Sequence, residues 1–224
     1  MLKAVIFDLD DTLYNEKDFV HSGFKAVAKY LAKFGLDKRN LFQNMLELLN
    51  TNGRGRIFDD VLKRYDLYSD VNVNILLYIY RYHCPDIKLS KEAIEILKFL
   101  RNKGIKTGII TDGIAAVQKN KVKSLGLNEL MDLIVYTDLL GTHCWKPSQI
   151  PFQVALNILH VLPKNAVYIG DNPQKDFEGA NKAGIRTIWY NPCSLEHEFE
   201  QDVEKPSEII ENWEQVKCFF NSDV

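Results

Sequence analysis

VIFDLDDTLY, residues 5–14, joins a short β-branched and aromatic run directly to three acids, and its reading decides the fold. Val5 to Phe7 has the composition of a buried strand, and Asp8 begins where that strand would end. Similar runs recur at Thr107 to Ile110, Leu133 to Tyr136, Ala166 to Ile169 and Thr187 to Tyr190. Between them Lys91 to Asn102, Ile114 to Leu125 and Ile150 to Leu162 carry apolar residues at helical spacing. Strands alternating with helices predict an α/β fold, a Rossmann-like parallel sheet with helices on both faces.

Far more chain separates Phe7 from Thr107 than a crossover connection needs. There Val20, Phe24, Val27, Leu31 and Phe34, then Leu41, Met45, Leu46 and Leu49, follow a helical period. An inserted all-helical subdomain is predicted at residues 15–84, returning near Cys84 and Pro85, with residues 1–14 and 85–224 forming the α/β core. The tail from Pro206 to Phe220 reads as a closing amphipathic helix.

Bulk properties narrow the partners. With 224 residues and 46% hydrophobic content the chain can bury a substantial core. A net charge of -2 gives no long-range field for nucleic acid or an anionic membrane surface, so any anionic ligand must be held locally. Cys84, Cys144, Cys193 and Cys218 contain no CxxC pair, which fits reduced structural thiols. His83–Cys84 and His143–Cys144 repeat a dipeptide, but lack the short-gap spacing of a zinc site. Tyr14, Trp145, Trp189 and the run YIYRYH (residues 78–83) are too dispersed for a base-stacking surface. The first apolar stretch is too short and acidic for a signal peptide, and no run approaches a membrane span, so a cytoplasmic protein is expected.

In such sheets ligands collect at the carboxyl ends of the strands. The strand VIF runs into Asp8, GII into Thr111 and Asp112, and VYIG into Asp171, while WKPS supplies Lys146 after the third strand. These groups converge on one crevice. Strand alternation sends Asp8 and Asp10 to the same side, and a cation shared with Asp171 would be of the magnesium type, which favours carboxylate, carbonyl and water oxygens. A lone Asp-x-Asp is equally an ordinary capped strand end; the polar ends of three further strands, in order, argue against that reading here.

The segments FDLDDTLY, IITDG, WKP and GDNPQKD together resemble the four signature motifs of the haloacid dehalogenase superfamily of hydrolases, over nearly the whole chain. The resemblance implies that Asp8 is a nucleophile forming an aspartyl-phosphate, and that Asp10 is a general acid and base. It implies that Thr111 and the amide of Asp112 bind the phosphoryl oxygens, and that Lys146 neutralises their charge. Mg2+ would be held by Asp8, Asp171 and the backbone carbonyl of Asp10, with Asp176 orienting a metal-bound water. True dehalogenases replace the second acid of the first motif, whereas this chain keeps Asp10, which favours phosphoryl transfer. Asp11 stands where glycine is frequent and receives no role.

The helical insertion resembles the cap of many members, so substrate choice is expected between Asn15 and Cys84. Within it TNGRGRIFD offers Arg54 as a candidate specificity residue. The expected activity is magnesium-dependent hydrolysis of a small phosphate monoester such as a sugar phosphate or nucleotide. A phosphomutase with the same intermediate, a phospho-aspartate receiver and a non-enzymatic binding protein are the alternatives. Oligomeric state is not readable from the sequence.

Overall fold

The computed structural model describes residues 1–192 and 204–219. Its sheet contains β1 (Ala4–Phe7), β2 (Lys106–Thr111), β3 (Leu133–Tyr136), β4 (Ala166–Gly170), β5 (Arg186–Tyr190) and β6 (Glu208–Ile210). Their spatial order is β3-β2-β1-β4-β5-β6, with every neighbouring pair parallel. All four residues of β1 are fully buried, as a strand covered on both faces must be, which explains why AVIF shows no alternation.

The chain builds outward from β1 in both directions, so the order reverses beside it. That reversal opens a crevice at the carboxyl ends of the strands. Register then sets which residues share it. Phe7 pairs with Ile109 on one side and Ile169 on the other. Asp8, Thr111 and Asp171 therefore leave their strands within about one residue step, ~3.3 Å, of a common level. The Asp8 amide still donates to the Ile169 carbonyl at 2.8 Å, so the ladder fixes this acid's backbone.

Helices cover both faces. On one, α7 (Ile150–Leu159) places Phe152, Ala155, Leu156 and Leu159 against Ile6, Ile110 and Tyr168. On the other, α5 (Lys91–Asn102) packs against β2 and against α9 (Trp213–Cys218), whose Trp213 ring meets Phe7 at 5.8 Å. α6 (Ala115–Ser124) follows β2, and α8 (Pro173–Lys182) follows β4.

The chain divides into two compact units, Met1–Glu16 with Lys88–Val224, and Lys17–Ile87. Within the second, α1 (Glu16–Leu31), α2 (Lys38–Asn52), α3 (Ile57–Arg64) and α4 (Asp70–Tyr82) bury Val20, Phe24, Val27, Met45, Val61 and Leu76 in their own core. It begins slightly inside and ends slightly beyond residues 15–84, and the returning chain is tied to α1: the Asp86 amide donates to Ser22 Oγ at 2.9 Å. His83 Nε2 lies 3.0 Å from the same oxygen, and burial lowers the pKa of this imidazole.

Two local expectations differ from the structure. The tail is not one helix: Glu208–Ile210 forms β6 beside β5, and only then does Asn212 cap α9 through reciprocal bonds with Gln215. The β-branched Ile209–Ile210 pair explains the strand, and Phe220 lies outside the described residues, as does Cys193. α7 stops at Leu159 because His160 adopts a left-handed conformation, φ 52°. Cys84, Cys144 and Cys218 form no disulfide among the described residues. Among the described residues no helix is long and apolar enough to cross a membrane.

One close approach ties the fold to the crevice. A Cβ on Gly179 of α8 would stand 2.3 Å from the Pro147 carbonyl oxygen and 2.6 Å from that of Ser148, and neither can rotate away. Gly179→Ala should therefore destabilise the protein by about 1–3 kcal/mol despite alanine's better helix propensity, read as a lower urea midpoint. An unchanged or higher midpoint would contradict this packing.

Candidate active site

Each strand end delivers a different chemical group, and buried hydrogen bonds hold each in place. The segment after β1 folds back sharply, with Asp11 at φ 52° and its carboxylate accepting the Glu16 amide at 2.8 Å. This left-handed residue explains why glycine suits the position. Leu9 and Leu13 point into the core, leaving Asp8, Asp10 and Thr12 around the crevice.

Lys146 is the centre of the charge network. Its side chain is 4% exposed, and its Nζ donates to Asp8 Oδ1 at 2.5 Å, to Asp176 Oδ1 at 2.7 Å and to Tyr168 Oη at 3.0 Å. An ammonium has three protons, so each is used. The Tyr168 hydroxyl in turn donates to Asp176 Oδ1 at 2.8 Å, closing a triangle. Asp176 Oδ2 accepts the Asn172 amide at 2.9 Å. This acid reaches the strand end because residue 170 is glycine; a Cβ there would meet Asp176 Oδ2 at 2.3 Å.

Carboxylate oxygens of Asp8, Asp171 and Asp176 lie within 4.8 Å of one another. Burial raises Asp8 well above the usual carboxylate range, the nearby Lys146 opposing and Asp176, Asp171 and Asp10 adding to the rise. Asp171 is pushed up to about 7, first by burial and then by Asp176 and Asp11. Burial works against the charged Lys146, but Asp176 and Asp8 outweigh it and hold its pKa well above the ordinary value. One ammonium thus faces three clustered acids. An all-oxygen donor set with surplus negative charge fits a hard divalent cation such as magnesium. Thr12 Oγ1 donates to Asp171 Oδ1 at 3.4 Å, and Trp189 Nε1 donates to the Asp171 carbonyl at 2.9 Å.

Asp10 turns to other partners. Its Oδ1 accepts from Lys121 Nζ at 2.8 Å and from the Tyr14 hydroxyl, and its Oδ2 accepts from Gln118 Nε2 at 2.9 Å. Burial and the Asp10 charge push the Tyr14 phenol far above its ordinary range, so it remains a donor. The same Gln118 nitrogen lies 2.5 Å from Thr111 Oγ1. Asp112 serves as a brace through its side chain: Oδ1 accepts the Thr137 hydroxyl at 2.7 Å and the Lys146 amide at 3.2 Å.

Asp8, Asp112 and Asp176 are thus tied together through Lys146, Asp10 and Thr111 are joined through Gln118, and the Asp171 carboxylate stands beside Asp8 and Asp176. Arg54 belongs to the helical unit and is exposed in the turn between α2 and α3. Sequence reading missed Tyr14, Gln118, Lys121, Thr137 and Tyr168. For Gln118 and Lys121 a signal existed: on α6 they share the buried face with Ala115 and Val122, where a polar residue requires a buried partner. In the His–Cys repeat, His83 Nδ1 pairs with the Tyr80 carbonyl at 2.7 Å and Cys144 Sγ with that of Leu140 at 3.3 Å.

A parallel sheet carrying acids, a threonine and a lysine at its switch point is suited to phosphoryl transfer. The chain belongs to the haloacid dehalogenase-like hydrolase family, whose model matches residues 5–190. It is 30% identical over 197 residues to a glyceraldehyde 3-phosphate phosphatase of Methanopyrus kandleri, covering 84% of this chain and 83% of that protein. A glyceraldehyde 3-phosphate phosphatase of Methanothermobacter thermautotrophicus is 30% identical over 227 residues, with 97% and 99% covered. Among solved structures, a 2-haloacid dehalogenase from Pseudomonas syringae superposes with a TM-score of 0.69 at 26% identity, over 100% of both chains. With phosphatases as its near full-length relatives, the protein is a hydrolase of the phosphatase class.

Asp171 gives a measurable signature in the metal-free protein. Its carboxyl has a folded pKa of about 7 against an ordinary 3.8, so the folded state binds more protons than the unfolded state between those values. Its contribution to stability is complete below the lower value and is lost as pH rises through the upper one. With chelator present, Asp171→Asn should gain stability relative to the parent from about pH 5 to about pH 8, by on the order of a few kcal/mol, in thermal melts. A constant difference would refute the raised pKa.

Proposed function

We propose that this protein hydrolyses a small-molecule phosphate monoester in a magnesium-dependent reaction through an aspartyl-phosphate on Asp8. The observation that carries this reading is the Lys146 bridge between Asp8 and Asp176, set beside the Asp171 carboxylate. Attack on phosphorus requires an ionised, immobile carboxylate, and burial by itself favours the protonated form of Asp8. Lys146 opposes that effect, and a cation at the three acids would complete the compensation.

In this reading Asp8, Asp171 and the Asp10 carbonyl hold Mg2+, with Asp176 beside them in the same acidic group. Bound there, the ion would draw charge from the phosphoryl oxygens and neutralise the acids. Thr111 Oγ1 and the Asp112 amide hold the phosphoryl oxygens, joined by the Lys146 ammonium. Asp10 gives its proton to the departing alcohol oxygen and then takes one from the attacking water, splitting one displacement into two. A carboxyl at position 10 supports phosphate over halide chemistry, because an alkoxide leaving group needs a proton and a halide does not.

The helical unit 17–87 is proposed to act as a cap that recognises the alcohol portion, with Arg54 as its candidate specificity residue. The names of the two archaeal relatives make triose phosphates the first substrates to test.

A phosphate-release screen over triose and other sugar phosphates, nucleotides and phosphorylated amino alcohols, with magnesium and with chelator, tests the reaction. Turnover should require magnesium and vanish in Asp8→Asn; metal-independent turnover, or full activity in that variant, would overturn the mechanism. On the best substrate Arg54→Ala should lower kcat/KM through KM, and an unchanged value would remove Arg54 from the site.

A further inference from the structure

The family motifs account for Asp10 but not for the groups that hold it. Lys121 and Gln118 sit three residues apart on α6, both buried, and each reaches a different oxygen of the Asp10 carboxylate. The Lys121 side chain is 5% exposed against 24% for Asp10, so the lysine is the more deeply buried partner. A carboxylate gripped at both oxygens from one rigid helix cannot rotate about its terminal bond.

The donors also divide unequally. A carboxylate offers about four acceptor positions, two on each oxygen. Oδ1 takes Lys121 and Tyr14, which fills it, whereas among the described residues Oδ2 takes Gln118 alone. The second Gln118 amide proton points to Thr111 Oγ1, so the threonine's own hydroxyl proton is turned elsewhere. A single side chain therefore couples the phosphate-binding hydroxyl to the acid.

We propose that Lys121 and Gln118 are positioning residues that fix Asp10 so that its Oδ2 carries the relayed proton, and that Gln118 sets Thr111 in the same act. This rests on the phosphatase reading above. In the first step an Asp8 oxygen bonds to phosphorus while the ester P–O bond breaks, and the Oδ2 proton passes to the leaving oxygen. In the second, a water oxygen bonds to phosphorus while the Asp8 O–P bond breaks, and the water's proton returns to Oδ2. A misaligned Asp10 harms the first step only when the leaving group needs a proton, but it harms the second step always.

Lys121→Met, Gln118→Leu and Lys121→Arg, assayed with magnesium on glycerol phosphate and on p-nitrophenyl phosphate, separate positioning from stability. For glycerol phosphate the first two should lose about 100-fold in kcat, the scale of a general acid, with KM within about 3-fold. On p-nitrophenyl phosphate the same variants should release a burst of about one equivalent of nitrophenol before slow turnover, because the intermediate forms but hydrolyses slowly. Lys121→Arg should recover most of the glycerol phosphate activity. Equal losses on both substrates without a burst, or unchanged kcat, would overturn the positioning role. Should Lys121→Met not fold, Gln118→Leu and Lys121→Arg decide by the same comparison. A parent protein inactive on every ester, or an Asp8→Asn variant as active as the parent, would instead overturn the phosphatase reading and this role with it.

Discussion

The site depends on one buried ammonium. Lys146 joins the end of β1 to the first turn of α8 by donating to Asp8 and Asp176 at once, and its third proton meets Tyr168 on β4. Removing a charge from water costs several kcal/mol, so a lysine goes there only if nearby acids compensate it. The acids in turn depend on the lysine. Asp8 and Asp176 are both buried, and their mutual repulsion is tolerable only with a cation between them. This reciprocity couples fold to chemistry, because the ion pair that relieves burial also orients the residue proposed to attack phosphorus.

The backbone makes that arrangement possible before any side chain acts. The register of β1 with β2 and β4 levels Asp8, Thr111 and Asp171, while Gly170 and Gly179 clear space for the Asp176 carboxylate and for the loop that delivers Lys146. Asp112 then braces that loop, accepting both the Lys146 amide and the Thr137 hydroxyl. A residue expected to matter through its amide thus also works as a strut. Its acid is spent on geometry and is unavailable to a metal.

The fold was legible because burial imposes composition. A strand covered on both faces must read as a continuous apolar run, and AVIF and AVYIG do. The carboxyl-end acids were legible for the opposite reason, since a charge that interrupts such a run needs a local explanation. What stayed hidden were groups whose meaning depends on contacts distant in sequence. Tyr168 lies inside an apolar strand and passes for a core aromatic until its hydroxyl is found between Lys146 and Asp176. Gln118 and Lys121 share the apolar face of α6 with Ala115 and Val122, which signals a buried partner, but the sequence does not say that the partner is Asp10. The tail misled through local pattern: Ile209 and Ile210 fit a helical spacing, but the open edge of β5 captures them as β6.

The likeness to a haloacid dehalogenase over the whole chain shows that this fold does not by itself select phosphate or halide. Selection must come from side chains that differ between the two chemistries. A halide departs without a proton, so a protein specialised for it needs no acid at position 10 to protonate the leaving group. Here that carboxyl engages Tyr14, Gln118 and Lys121, three buried residues whose polar ends are directed at it. The proposed preference for phosphate is therefore supported in two layers, by Asp10 itself and by the α6 residues Gln118 and Lys121 that hold its carboxylate.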